Sequence, residues 1–194
     1  EPSPEITVSP MDISFPSTLI GLEFGDSVAV VQENVNEYES NDVPINLGYE
    51  NYYMHYSEIN INHEGIISDL NVTINIEDEL WYIDYIDLVS PQGTILRLVD
   101  YLSGYNMYYT IFDQEADQSI VNQEGPYDGI FTPYENLDQL NGEEINGLWK
   151  LKMYWNTSSD RETKLTYWSL EIATVSTETI PDTTIASRDL EISN

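Results

Sequence analysis

Hydrophobic and polar residues alternate along much of the chain. In the stretch 70–76, Leu70, Val72, Ile74 and Ile76 are apolar, while Asn71, Thr73 and Asn75 between them are polar. Successive side chains of an extended strand point to opposite faces, so this pattern predicts a strand with one buried face and one wet face. Similar strands are predicted at 6–8, 27–31, 59–61, 81–89, 94–98, 108–112, 149–154 and 166–172, and no segment holds the 3.6-residue spacing of an amphipathic helix. Turn chemistry separates several of them: Ser90-Pro91-Gln92-Gly93, Asp128-Gly129 and Asn141-Gly142. Many short strands without helical periods predict an all-β fold, an antiparallel sandwich or jelly roll.

The stretch 33–53 is polar and tyrosine-rich with no clear alternation, which predicts a long connection holding at most one short strand. Residues 5–31 fit a preceding strand pair, the first strands of the same sandwich, or the end of another domain. The opener Glu1-Pro2-Ser3-Pro4 and the Thr-, Ser- and acid-rich end of the chain have too few large apolar residues to order themselves. The expected organisation is a linker or edge strand at 1–22, one domain at 23–174, and a C-terminal linker at 175–194. Trp149 and Trp168 each sit inside an alternating strand and are predicted core residues, since a buried indole removes a large apolar area from water. Gly93, Gly129, Gly142 and Gly147 fall at turn positions that favour φ > 0 or close approach.

Charge narrows the choice of partners. Thirty-five acidic residues against six basic ones give a formal charge of −29 over 194 residues. Such a field repels phosphate backbones and anionic lipid headgroups and attracts cations, so nucleic acid and membranes are not expected partners. There is no cysteine, which excludes a disulfide framework, a thiolate zinc site and a cysteine nucleophile. A secreted bacterial protein, acting as a monomer, fits this better than a disulfide-stapled eukaryotic one. No apolar run reaches the roughly 18 residues of a membrane helix. The N-terminal residues are not a signal peptide, so the signal of a secreted protein is expected upstream.

Nothing in the sequence looks catalytic. A serine triad needs a histidine, and neither His55 nor His63 lies in a subtilase-like context. His63-Glu64 opens like a zincin motif, but Ile67 stands where the second histidine ligand would be. A glycosidase pair needs only two carboxylates at a suitable separation, yet no catalytic insertion accompanies the short strands. Calcium is the stronger expectation, because it takes six to eight oxygen ligands, often from one loop. Asp113, Glu115 and Asp117 alternate after the strand ending at Phe112, and Asp128 and Glu135 lie in turns able to fold over them. Asp113, Glu115, Asp117 and Asp128 are the candidate metal ligands. Fifteen tyrosines include the groups Tyr52, Tyr53, Tyr56 and Tyr105, Tyr108, Tyr109, with Tyr154 beside Trp155. Strand alternation predicts one exposed ring in each adjacent pair, a surface suited to a polysaccharide or a protein substrate.

A series of motifs between positions 56 and 172 resembles the P domain, or Homo B domain, of kexin-like and bacterial subtilisin-like proteases and of some secreted metalloproteases. Ile67-Ser68-Asp69-Leu70-Asn71-Val72-Thr73-Ile74 is similar to the family's I-x-D-x-N-V-x-I strand, and Ile86-Asp87-Leu88-Val89-Ser90-Pro91-Gln92-Gly93-Thr94 to its I-x-L-x-S-P-x-G-T turn. Thr110-Ile111-Phe112-Asp113-Gln114-Glu115-Ala116 resembles T-x-F-D-D-E-A. Gly129-Ile130-Phe131-Thr132-Pro133, with Leu137, Leu140, Asn141 and Gly142, resembles G-x-Y-x-P…L-x-x-x-N-G. Gly147-Leu148-Trp149-Lys150-Leu151 and Leu165-Thr166-Tyr167-Trp168-Ser169-Leu170 match the two tryptophan strands. Their order is more specific than any one of them. The resemblance implies a jelly roll of about eight strands, without catalytic residues of its own, that stabilises or regulates the catalytic protease domain of the same polypeptide, often with calcium. A carbohydrate- or substrate-binding targeting module is the alternative. The chain departs from the family at 78–84, where His-Thr and Asp-Leu pairs are usual, at Trp155, where an aspartate is typical, and at 160–165.

Overall fold

The computed structural model describes residues 27–47, 53–79, 83–102, 104–155 and 163–181. The strand expected at 6–8 and most of the departures at 78–84 and 160–165 lie outside or at the margin of these residues. The chain divides into a compact unit, 34–176, and a second unit formed by 1–33 with 177–194. Of the second unit, only 27–33 and 177–181 are described, as the outer parts of two strands.

The described residues form ten strands and one short 3-10 helix, with no α-helix. The strands are β1 (Ser27–Glu39), β2 (Ile45–Asn46), β3 (Tyr53–Ile61), β4 (Ile66–Glu79), β5 (Ile83–Val89), β6 (Ile95–Leu102), β7 (Tyr105–Phe112), β8 (Ile130–Phe131), β9 (Gly147–Trp155) and β10 (Lys164–Pro181), and the 3-10 helix is Leu137–Leu140. They make a six-stranded sheet in the order β1-β10-β4-β7-β8, with β2 also on β10, and a four-stranded sheet in the order β3-β9-β5-β6. The all-β expectation holds, with ten strands in place of about eight. Every strand pair with a resolved register is antiparallel except β7 with β8, which is parallel.

Alternation explains where the core lies. Leu70, Val72, Ile74 and Ile76 of β4 and Trp149, Leu151 and Met153 of β9 are all buried in one cluster that draws on both sheets. Trp149 and Trp168 are fully buried, as the sequence predicts. The spacing slips at bulges. On β10, Leu165 stands opposite Ile76 and Tyr167 opposite Asn75, so Thr166 is an extra residue. That insertion places Leu165 and Trp168, three apart, on the same buried face. Between β5 and β6, Leu98 is the extra residue, since Arg97 pairs with Asp87 and Val99 with Ile86.

Two boundaries differ from expectation. The stretch 33–53 is not simply a connection, because β1 runs on through Glu39. Most side chains from 32 to 39 are exposed, as suits a strand at the sheet edge, so no alternation marks it. The stretch 175–181 is strand, not linker, because β10 continues to Pro181. Val175, Thr177, Thr179 and Ile180 are β-branched, which favours a strand even where the composition is polar. The hairpin between β5 and β6 turns as predicted. The Ser90 amide donates to the Thr94 carbonyl at 2.9 Å, the Gly93 amide donates to the Ser90 carbonyl at 3.0 Å, and Gly93 has φ +91°. Gly147, at φ +126°, packs against this turn so closely that a Cβ would lie 2.8 Å from Pro91 Cβ.

A polar tie joins the sheets inside the core. The Trp168 indole Nε1 on β10 donates to Ser57 Oγ on β3 at 2.6 Å. The Ser57 hydroxyl donates in turn to Asp42 Oδ1, which also accepts from Ser40 Oγ at 2.5 Å, while Asp42 Oδ2 accepts the Glu58 amide at 2.9 Å. Ser57 is fully buried, so its removal strands a buried N–H. Ser57→Ala is expected to destabilise the chain by ~2–3 kcal/mol in denaturant unfolding. A loss below ~0.5 kcal/mol would show that the tie carries no weight.

Candidate functional site

The acidic turn after β7 is built by the end of that strand. The Asp113 amide donates to the Phe131 carbonyl of β8 at 3.0 Å, which fixes where the chain leaves the sheet. Asp113 Oδ1 then accepts the Glu115 amide at 2.7 Å, an Asx-type turn, and the Ala116 amide donates back to the Asp113 carbonyl at 3.3 Å. The turn is tied to the 3-10 helix, because Gln114 Oε1 accepts the Leu137 amide at 3.0 Å. Asn136 caps that helix by accepting the Asp138 amide at 2.6 Å, and Leu137 and Leu140 anchor it in the core.

Of the four candidate ligands, Asp113 and Glu115 share this turn, Asp117 follows two residues later on an exposed bend, and Asp128 lies ahead of β8. Two further carboxylates belong to the same electrostatic group. Burial pushes the Asp69 carboxyl above its ordinary range despite a hydrogen bond from the Leu70 amide, and the charges of Asp113, Asp138 and Glu171 push it further. Contact with the Asp113 side chain raises Glu115, with burial and the Asp69 charge adding to it. Sequence spacing finds Asp113 and Glu115 but not Asp69 or Asp138, which arrive from β4 and from the 3-10 helix. Among the described residues, no three Asp, Glu or His side chains are gathered as a ready-made metal site.

Asp42 has the opposite character. Burial pushes its carboxyl up, but the hydrogen bonds from Ser40, Ser57 and the Glu58 amide outweigh that and hold it below the ordinary range. It lines a groove of about 620 Å³ together with Glu37, Tyr38, Glu39 and Glu58. Its lone pairs are committed to structure, which makes it a poor general base. His63 packs its ring 6.2 Å from that of Tyr38.

The outer face of the four-stranded sheet carries a compact ionic row. Asp87, only 2% exposed, lies between Arg97 of β6 and Lys152 of β9, its partners in the ladders. Arg97 Nε is 2.6 Å from Asp87 Oδ1, Arg97 also reaches Asp100 at 2.8 Å, and Lys152 Nζ is 3.6 Å from Asp87 Oδ2. The Arg97 guanidinium sits 4.2 Å above the Tyr85 ring, which stacks on Tyr154 at 5.3 Å. Tyrosine, carboxylate and cation here satisfy one another within the chain.

Residues 67–172, more than half of the chain, match the proprotein convertase P-domain. The chain belongs to the proprotein convertase P-domain family. The matched span runs from the start of β4 to Ile172 in β10, and so takes in Trp149 and Trp168, the β5–β6 turn and the acidic turn. Among solved structures, a serine protease of Aeromonas sobria in complex with a chaperone is similar at 18% identity and a TM-score of 0.42, covering 76% of this chain. The serine protease of Aeromonas sobria alone is similar at 16% identity and a TM-score of 0.38, covering 75%. The chain spans 27% of the length of each. No curated protein matches it. No helix among the described residues is long and apolar enough to cross a membrane.

The raised carboxyls give a pH dependence with a definite sign. Asp69 and Glu115 bind a proton more readily folded than unfolded, so each subtracts stability as pH rises past the ordinary carboxyl value of about 4. Asp69→Asn, which keeps an acceptor for the Leu70 amide, is therefore expected to raise the melting temperature at neutral pH by a few degrees. The gain should vanish as pH falls through about 4, where the carboxyl is protonated in both states. An advantage that is independent of pH, or a lower melting temperature at neutral pH, contradicts this account.

Proposed function

We propose that this P domain is a non-catalytic accessory module of a secreted bacterial protease, which it stabilises or regulates by packing beside the catalytic domain of the same polypeptide. Family membership over 67–172 is the observation that carries the proposal. The geometry supports it in kind, because the carboxylates of Asp42 and Asp87 are engaged by hydrogen bonds and ion pairs within the fold. The test removes residues 34–176 from the full-length polypeptide and follows protease yield and thermal inactivation. The deletion is expected to cut recovered activity by about tenfold or more, as loss of a cooperative docking partner does. Full activity with unchanged inactivation kinetics rejects the stabilising role.

Calcium is the cofactor that the acidic turn would take, with Asp113 and Glu115 as first ligands and Asp117 and Asp128 completing the oxygen set by loop adjustment. Asp69 and Asp138 add negative potential from neighbouring elements. Millimolar calcium is expected to raise the melting temperature and chelator to lower it, because a ligand that binds only the folded state stabilises by mass action. Asp113→Asn with Glu115→Gln should abolish the response. A melting temperature that ignores calcium removes the site and leaves the accessory role untouched.

A further inference from the structure

Tyr108 and Tyr109 are adjacent residues of β7, and alternation would put them on opposite faces. Both are exposed, at 55% and 50%. Between β4 and β7 the ladder steps from Ile74–Thr110 to Ile76–Met107, so β7 carries an extra residue there. Tyr109 holds φ +46°, a left-handed conformation that strains a bulky residue. The bulge turns the rings together: Tyr108 meets Tyr109 edge-on at 5.4 Å, and Tyr109 meets Tyr167 at 5.5 Å. The result is a continuous strip of three tyrosines across β7 and β10. The Tyr167 hydroxyl donates to Glu37 at 3.0 Å and Glu39 at 3.3 Å, and its pKa is pushed up to about 12, first by burial and then by these carboxylates. Glu37 and Glu39 also form one wall of the groove that contains Asp42 and Glu58.

We propose that this tyrosine strip and its acidic groove form a docking site for a Lys- or Arg-bearing peptide segment of another protein. The chain itself shows the chemistry on its other sheet, where Arg97 covers Tyr85 and pairs with Asp87. On the six-stranded sheet the rings of Tyr108 and Tyr109 remain half exposed, and Tyr167 connects them to the carboxylates of Glu37 and Glu39 at the far end of the strip. A segment laid along the strip can set one cationic side chain on these rings and another against the carboxylates, gaining cation–π attraction and charge complementarity. The strained Tyr109 is the structural cost of presenting two neighbouring rings on one face. The inference does not rest on the accessory role, since it concerns a surface of this chain alone.

The test titrates the 194-residue chain with a fluorescein-labelled Arg-Gly repeat peptide at physiological salt, where long-range attraction is largely screened. Tyr109→Gly removes the ring and suits the positive φ, so it should keep or raise the melting temperature while weakening binding by about tenfold. Tyr108→Ala at an exposed position, and Glu37→Gln with Glu39→Gln, should weaken it similarly. Glu124→Gln with Glu144→Gln, which removes the same charge elsewhere, should change affinity by less than about twofold. No binding, equal weakening by the remote pair, or unchanged affinity in both tyrosine variants overturns the proposal. So does retention on an insoluble polysaccharide that the same tyrosine variants abolish while peptide binding is unmoved.

Discussion

The hydrogen bond from the Trp168 indole to Ser57 fixes the relation between the two sheets. An apolar core attracts its two faces without specifying how far one slides over the other, because hydrophobic burial is non-directional. A buried N–H that must find one oxygen removes that freedom. Trp168 lies on β10, paired through the ladder with Ile74 of β4, while Ser57 lies on β3, paired with Leu151 of β9. One bond thus aligns the middle of one sheet with the edge of the other. Its acceptor is held in place by Asp42, and the Ser40 amide closes the loop by donating to the Trp168 carbonyl at 3.0 Å. The segment joining β1 to β2 is thereby bound to the core although most of its side chains are wet. Trp149 uses its indole differently, donating to the Ile145 carbonyl at 2.9 Å and securing the entry to β9.

Asn75 is the second fixed point. It sits on the outward-facing set of β4, yet it is only 3% exposed, because the strands on both sides bulge beside it. Its Oδ1 accepts the Tyr109 amide at 3.1 Å and its Nδ2 donates to Thr166 Oγ1 at 2.6 Å, so one side chain serves the irregular residue of each neighbour. A bulge loosens the regular ladder and needs another partner for the amide it displaces. Asn75 supplies that partner to the Tyr109 amide on β7 and, on the other side, holds the bulged Thr166 by its hydroxyl. The displaced tyrosines cannot return to alternating faces while the amide is held, so core strand geometry and the exposed aromatic surface are consequences of the same side chain.

What the sequence could disclose follows from which contacts leave a periodic trace. β4 and β9 were legible because one face of each meets the core and the other meets water. β1 was not, since exposed residues such as Val35 and Glu37 lack an apolar period. β8 is two residues long and pairs in parallel with β7, a relation set by a distant turn and not by its own pattern. Asn75 looked like Asn71 and Thr73, polar slots of one alternating strand. Only the bulges of two other strands distinguish it, and the one on β10 shows in the sequence merely as two residues instead of one between Leu165 and Trp168. The acidic turn shows the same division. Asp113 and Glu115 declare themselves by spacing, whereas Asp69 and Asp138 join them through ladder register and a capped 3-10 helix.

The charge distribution bears on why so acidic a chain keeps this fold. Self-repulsion among 35 carboxylates opposes compaction, and six basic residues cannot neutralise it pairwise. Three of the six, Arg97, Lys150 and Lys152, stand on one face of the four-stranded sheet. There they pair with Asp87, Asp100 and Glu58, two of these pairs involving an aspartate that is almost fully buried. Cations are placed where an unpaired charge would be most costly, not where the surface is most negative. Elsewhere among the described residues, the Asp42 carboxylate is held by two serine hydroxyls and a backbone amide, and Asp69 and Glu115 bear raised proton affinities. Stability therefore comes from the two-sheet core and its polar ties, and the excess negative charge attracts whatever cation or cationic partner reaches it.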